Sequence, residues 1–192
     1  MGYKAALCWS YWPLSAPFEP RFECQNLLMK TLYLLRHAKS SRDNPDLKDF
    51  ERPLADRGIN DLPVMAERFN ARNGRVGCII CSPAVRTKTT AKMFAKLIGF
   101  SSDDVGSNPE LYFAGSTMFL KAASLLDAEC DAAMLVGHNP AITDFVNEMA
   151  NVDIENIPTC GLVQLRLPID AWSEIRFSSA ELVNFDYPKK IE

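Results

Sequence analysis

Apolar and polar positions alternate in blocks along most of the chain. Thr31-Leu-Tyr-Leu-Leu35 is an apolar run of strand length, and a polar loop follows from Lys39 to Glu51. Asp56 to Asn73 places Leu62, Met65, Ala66 and Phe69 on one face, the spacing of an amphipathic helix. Val76-Gly-Cys-Ile-Ile-Cys81 reads as the next strand. Ser82-Pro83 predicts a helix start, with serine as N-cap and proline in the first turn. Gly99 predicts its stop. Gly115 to Ala128 predicts a further helix, Ala132-Ala-Met-Leu-Val136 a strand, and Asn139-Pro140 the opening of a helix ending near Ala150. Leu162 to Leu167 and Trp172 to Phe177 read as late strands that could pair as a hairpin. Strands alternating with helices predict an α/β protein, a three-layer α/β/α sandwich on a mainly parallel central sheet.

Residues 1–28 break the pattern. They hold Trp9, Trp12, Pro13, Pro17 and Pro20 with a period of neither 2 nor 3.6. Lys4 precedes an apolar stretch, but that stretch is short, interrupted and lacks a small-x-small cleavage site. Ala6 stands where a myristoylation signal needs Ser or Thr. The expectation is a poorly ordered N-terminal extension over 1–28 and one domain over 29–192.

Composition narrows the function classes. The 192 residues are 47% hydrophobic and 23% charged, enough to bury a core and too apolar for general disorder. A net charge of -3 supplies no global basic field, which argues against a nucleic-acid binder. No apolar run approaches the roughly 20 residues that span a bilayer. Six cysteines is an even number, but the chain is too long and its core too apolar for a small disulfide scaffold, so a reducing, cytoplasmic setting is expected. A monomer is the expected state. There are only two histidines, His37 and His138, so any imidazole chemistry runs through them.

Both histidines stand just beyond strands. The first strand ends in Leu35-Arg36-His37-Ala38, the second in Cys81-Ser82-Pro83 with Arg86 one turn on, and another in Gly137-His138-Asn139-Pro140. Ligands of open α/β sheets bind beyond the carboxyl ends of strands. A lone strand-end histidine more often packs or caps. Two histidines and two arginines converging, with helix N-termini beside them, suit an anion and above all a phosphoryl group.

Two tempting motifs fail on geometry. Cys78 and Cys81 form a C-x-x-C within a strand, whose alternation sends the thiols to opposite faces. Cys160 to Arg166 has the spacing of a cysteine phosphatase loop. An alternating strand between them would hold the pair roughly 20 Å apart.

The residues Leu35-Arg36-His37-Ala38-Lys39-Ser40 resemble the signature of the histidine phosphatase superfamily, with Ala38 for the commoner glycine. Ser82-Pro83-Ala84-Val85-Arg86-Thr87 through Thr90-Ala91 is similar to its second motif, with Thr89 where glutamine is frequent. Val136-Gly137-His138-Asn139-Pro140 is similar to its third, and Asp49-Phe-Glu-Arg52-Pro53-Leu54 through Arg57-Gly58 also fits. The likeness runs from about Met29 onward and is nearest the phosphohistidine phosphatases of the SixA type. It implies a phosphoglycerate mutase-like fold and a phosphatase needing neither metal nor other cofactor. In that scheme His37 is the nucleophile that becomes phosphorylated. Arg36 and Arg86 hold phosphoryl oxygens, His138 donates to the same group, and Arg52 lies at the rim. Glu110 matches the general acid of related members; it reads equally as an exposed loop carboxylate. The implied partner is a phosphorylated histidine protein or a small phosphorylated substrate. A small-molecule phosphomonoesterase and a non-enzymatic phosphate-binding module are the two alternatives.

Overall fold

The computed structural model describes residues 29–190, so the extension expected over 1–28 lies outside the described residues. The chain runs β1 (Lys30–Arg36), α1 (Asp56–Ala71), β2 (Cys78–Cys81), α2 (Val85–Leu97), β3 (Gly106–Ser107), α3 (Ser116–Ser124), β4 (Ala132–Gly137), α4 (Ala141–Ala150), β5 (Leu162–Leu167) and β6 (Glu181–Asp186). One six-stranded sheet has the order β3-β2-β4-β1-β5-β6. β1, β4, β2 and β3 pair in parallel, while β5 is antiparallel to β1 and β6.

Side-chain alternation builds two cores, one on each face of the sheet. Leu32 and Leu34 of β1 join Phe119 of α3 and Ile142, Phe145 and Met149 of α4. Tyr33 and Leu35 join Leu62, Met65 and Phe69 of α1 and Phe94 of α2. The predicted three-layer sandwich is therefore present, with the predicted α1 face turned inward. Among the described residues no helix is long and apolar enough to cross a membrane.

Two expectations need correction. Ser82 does not cap α2, which begins at Val85 behind Ala84; the serine hydroxyl is bonded to His138 instead. Trp172 to Phe177 is not a strand. Trp172–Glu174 forms a short 3-10 turn, whose three-residue repeat brings the buried Trp172 and Ile175 to the same side. Trp172 also donates its indole N–H to the Cys130 carbonyl at 2.6 Å. The true last strand, β6, has weak apolar alternation because it lies at the sheet edge. Its buried Asp186 is held by Arg68 and Arg72 at 3.0 and 2.7 Å. The two-residue β3 was too short to read from the sequence.

The discarded motifs stay discarded. Cys81 packs with one core and Cys78 with the other, where its sulfur lies 2.7 Å from that of Cys130. Arg166 lies within the extended β5 that follows Cys160, and burial pushes the Cys160 thiol up to about 12.

Candidate active site

Sheet register brings the two histidines together. Arg36 pairs with Gly137 across β1 and β4, and Cys81 pairs with Val136 across β2 and β4. The next residue of each strand therefore leaves the sheet at the same edge. The His37 N–H donates to the Gly137 carbonyl at 3.1 Å and the Ser82 N–H to the Val136 carbonyl at 2.9 Å. The imidazole rings of His37 and His138 end with centroids 5.1 Å apart.

Hydrogen bonds assign each ring. His37 Nδ1 lies 2.8 Å from the Ala38 carbonyl, which can only accept, so Nδ1 carries the proton and Nε2 keeps its lone pair. Burial chiefly lowers the His37 pKa to about 4, aided by Arg86 and Arg36 and opposed by the Ala38 bond. Arg86 donates to His138 Nδ1 at 3.2 Å, so Nε2 carries the proton of that ring and donates to Ser82 Oγ at 2.8 Å. Burial first, then His37 and Arg86, lower His138 to about 3. Both rings are neutral across the physiological range.

A cavity of about 190 Å³ opens beside them, lined by Arg36, His37, Arg52, Arg86, Asp49 and Lys39 among others. Larger cavities of about 540 and 390 Å³ lie elsewhere and contain neither histidine. The Arg36 fork donates through one arm to the Ile157 carbonyl at 2.6 Å and to Asn156 at 3.2 Å. Its Nε is buried with no hydrogen-bond partner. Arg52 reaches the Ser41 carbonyl, Ser40 and Asp49. Arg86, buried in the first turn of α2, donates to the carboxylate of Asp49 at 2.9 Å and to its backbone carbonyl.

The structure thus gathers Arg36, His37, Arg52, Arg86 and His138 as the sequence predicts. Glu110 stands apart. Its side chain is exposed, does not line this cavity, and pairs with Lys121 at 2.8 Å. Sequence reasoning missed Asp49, Ser82 and Tyr112. Asp49 sits in the Asp-x-x-Arg stretch already singled out, three residues before Arg52, which was its one available signal. Ser82 was visible at a strand end but was read as a cap.

α1 helps to hold the floor. A Cβ on Gly58 would lie 2.3 Å from the Lys39 carbonyl oxygen and 2.8 Å from its nitrogen, so only glycine lets the helix approach the backbone after His37. Overpacking of this kind costs about 1–3 kcal/mol. Gly58→Ala is expected to lower the melting temperature by several degrees and to weaken activity, because the Ala38 carbonyl that orients His37 is one residue away. An unchanged melt with full activity would show that the two backbones separate freely.

No family model matches the chain. An uncharacterized chloroplastic protein of Arabidopsis thaliana is 28% identical over 155 residues, 77% of this chain and 71% of that protein. A crystal structure of a candidate phosphohistidine phosphatase SixA from Agrobacterium tumefaciens superposes with a TM-score of 0.71 at 27% identity, covering 83% of this chain and 98% of that one. In fold and sequence the chain is similar to SixA-type members of the histidine phosphatase superfamily. A second candidate SixA, from Nakamurella multipartitia, shares the fold at a TM-score of 0.72 and 23% identity, over 84% of this chain and 98% of that one. In this shared fold the strand-end histidines and arginines described above lie together at the carboxyl edge of the parallel strands.

Proposed function

We propose that the protein is a phosphatase that passes a phosphoryl group through His37 and acts by preference on a phosphohistidine carried by a partner protein. The observation that carries this reading is the His37 tautomer: Nδ1–H is tied to Ala38, which leaves Nε2 as an unprotonated nucleophile in a cavity lined by four arginines. Nε2 attacks phosphorus in line, the bond to the leaving group breaks, and water then cleaves the phosphohistidine to release phosphate. Arg86 and Arg36 hold the equatorial oxygens, and the partnerless Arg36 Nε–H supplies a donor that a phosphoryl oxygen satisfies. A phosphoryl dianion beside His138 raises its pKa, which puts a proton on Nδ1 and makes that ring a further donor. Arg52 completes the positive rim.

Two features support phosphohistidine over a phosphomonoester. The cavity is about 190 Å³ and bounded by exposed Lys39 and Arg42, so it admits a phosphoryl group while the bulk of a substrate stays outside. An alkoxide leaving group needs a proton, and the Glu110 carboxylate that would give it is engaged by Lys121. A phosphate-binding module would have no need of a poised nucleophile.

The test mixes the protein with radiolabelled phosphohistidine proteins and small phosphomonoesters in the presence of EDTA. An acid-labile, alkali-stable phosphoenzyme and turnover undiminished by chelation are expected, since guanidinium groups supply the charge a metal would bring. Phosphate binding with no phosphoenzyme would leave only the binding module. Activity lost in EDTA and restored by metal would overturn the metal-independent route.

A further inference from the structure

Asp49 has no part in the reaction just described, yet the donors of the pocket meet on it. Arg86 and the Tyr112 hydroxyl donate to Oδ2 at 2.9 and 3.1 Å, and Arg52 donates to Oδ1 at 3.2 Å. Partial burial works against its charge, but the bonds and charge from Arg86, with Tyr112 and Arg52, hold the carboxyl below its ordinary range. It is an ionised carboxylate in an anion site. Its side chain is 57% exposed whereas His37 is 9% exposed, so Asp49 lies at the mouth and His37 at the floor. In-line attack from the floor drives the leaving group outward, toward Asp49.

A phosphoryl oxygen on Arg86 must displace the carboxylate, because two anions at one guanidinium repel. Arg86 also donates to the Asp49 backbone carbonyl, so the residue keeps its place while the carboxylate turns. It remains beside the departing atom. The rings of Phe50 and Tyr112, with centroids 5.1 Å apart and edge to face, stand next to it and offer a flat group an apolar wall.

We propose, building on the phosphatase reading above, that Asp49 selects the leaving group: its carboxylate accepts a hydrogen bond from the N–H of a departing imidazole and so favours phosphohistidine over phosphate esters. A protonated phosphoimidazole carries phosphorus on one nitrogen and a proton on the other. His37 Nε2 forms the new P–N bond, the old P–N bond breaks, and its electron pair returns to the departing ring. That ring leaves as neutral imidazole with its proton still on the far nitrogen, so no acid is required. A carboxylate facing that N–H favours the protonated ring and hence the better leaving group. The same carboxylate has no proton to give an alkoxide or phenoxide and repels the charge growing on its oxygen.

The test compares Asp49→Asn with wild type in the full-length protein on phosphoimidazole and on phenyl phosphate, two flat leaving groups that differ in the N–H. Losing a charge-assisted hydrogen bond is expected to lower kcat/KM for phosphoimidazole roughly 10- to 100-fold, while kcat/KM for phenyl phosphate rises as the competing anion is removed. Equal losses on both substrates would make Asp49 only a support for Arg86, and equal gains only a competitor of phosphate; either overturns the proposal. Tungstate binding and a thermal melt check that the variant pocket is intact. Wild-type protein inactive on phosphoimidazole would sink the phosphohistidine reading itself. Wild-type activity on it with an unchanged preference in the variant would sink the selector alone.

Discussion

His37→Ala is expected to abolish turnover and phosphoenzyme formation while leaving a folded protein. Among the described residues His37 is the one imidazole that lines the cavity, neutral at physiological pH with its Nε2 lone pair unengaged. No neighbour can replace it. Both nitrogens of His138 are engaged, by Arg86 and by Ser82. Burial keeps the Cys160 thiol protonated, with a pKa near 12, so it offers no thiolate. Deleting a nucleophile in a well-studied hydrolase costs about 10⁶ in kcat, which would take this enzyme below detection. The fold should survive, because the His37 side chain belongs to neither hydrophobic core. The β1 backbone also keeps its ladder, including the His37 N–H bond to Gly137. Single-turnover assays with a labelled substrate and a thermal melt check both halves. Substantial turnover by a folded variant would remove His37 as nucleophile.

Much of this site was legible because it is built from strand ends. An apolar run ending in Arg36-His37, and another ending in Gly137-His138, place their histidines without knowledge of any loop. Parallel pairing of β1 with β4 then makes them neighbours. What the sequence could not show is partnership across long separations. Asp49 meets Arg86 37 residues away and Tyr112 63 residues away. Nothing periodic in the polar loop marks it, since its φ/ψ path depends on contacts with elements not yet written in the chain. The Ser82 misreading has the same root. A serine before a helix is ordinarily a cap, and only the position of His138, 56 residues later, gives its hydroxyl a better partner. β6 failed for a different reason: its edge position leaves alternation weak, and its one buried acid is solved by two arginines of α1 and its C-terminal cap.

Arg86→Ala carries the second large effect. Arg86 is nearly buried, and its fork reaches Asp49 and His138 at once, so it links the nucleophile's neighbour to the mouth. Removing one preorganised donor from a developing anionic charge costs about 10² to 10³ in rate. The loss should fall on kcat/KM for every phosphorylated substrate, unlike the selective effect expected at Asp49. Arg86→Lys should recover little, because an ammonium restores the charge without the two-armed geometry. The pH profile distinguishes this from a merely loosened pocket. Burial is the largest cause that lowers the pKa values of His37 and His138, and Arg86 adds to it at both, after His37 in the case of His138. Without it both rings bind protons at higher pH, and a protonated Nε2 cannot attack. The acid limb of kcat/KM should therefore move toward neutrality in Arg86→Ala, so that residual activity falls earlier as pH is lowered. Because burial persists as the larger cause, the limb should stop short of the ordinary imidazole value of about 6.5. A rate loss with an unmoved limb would assign Arg86 to phosphoryl binding alone and leave the poise of His37 to burial.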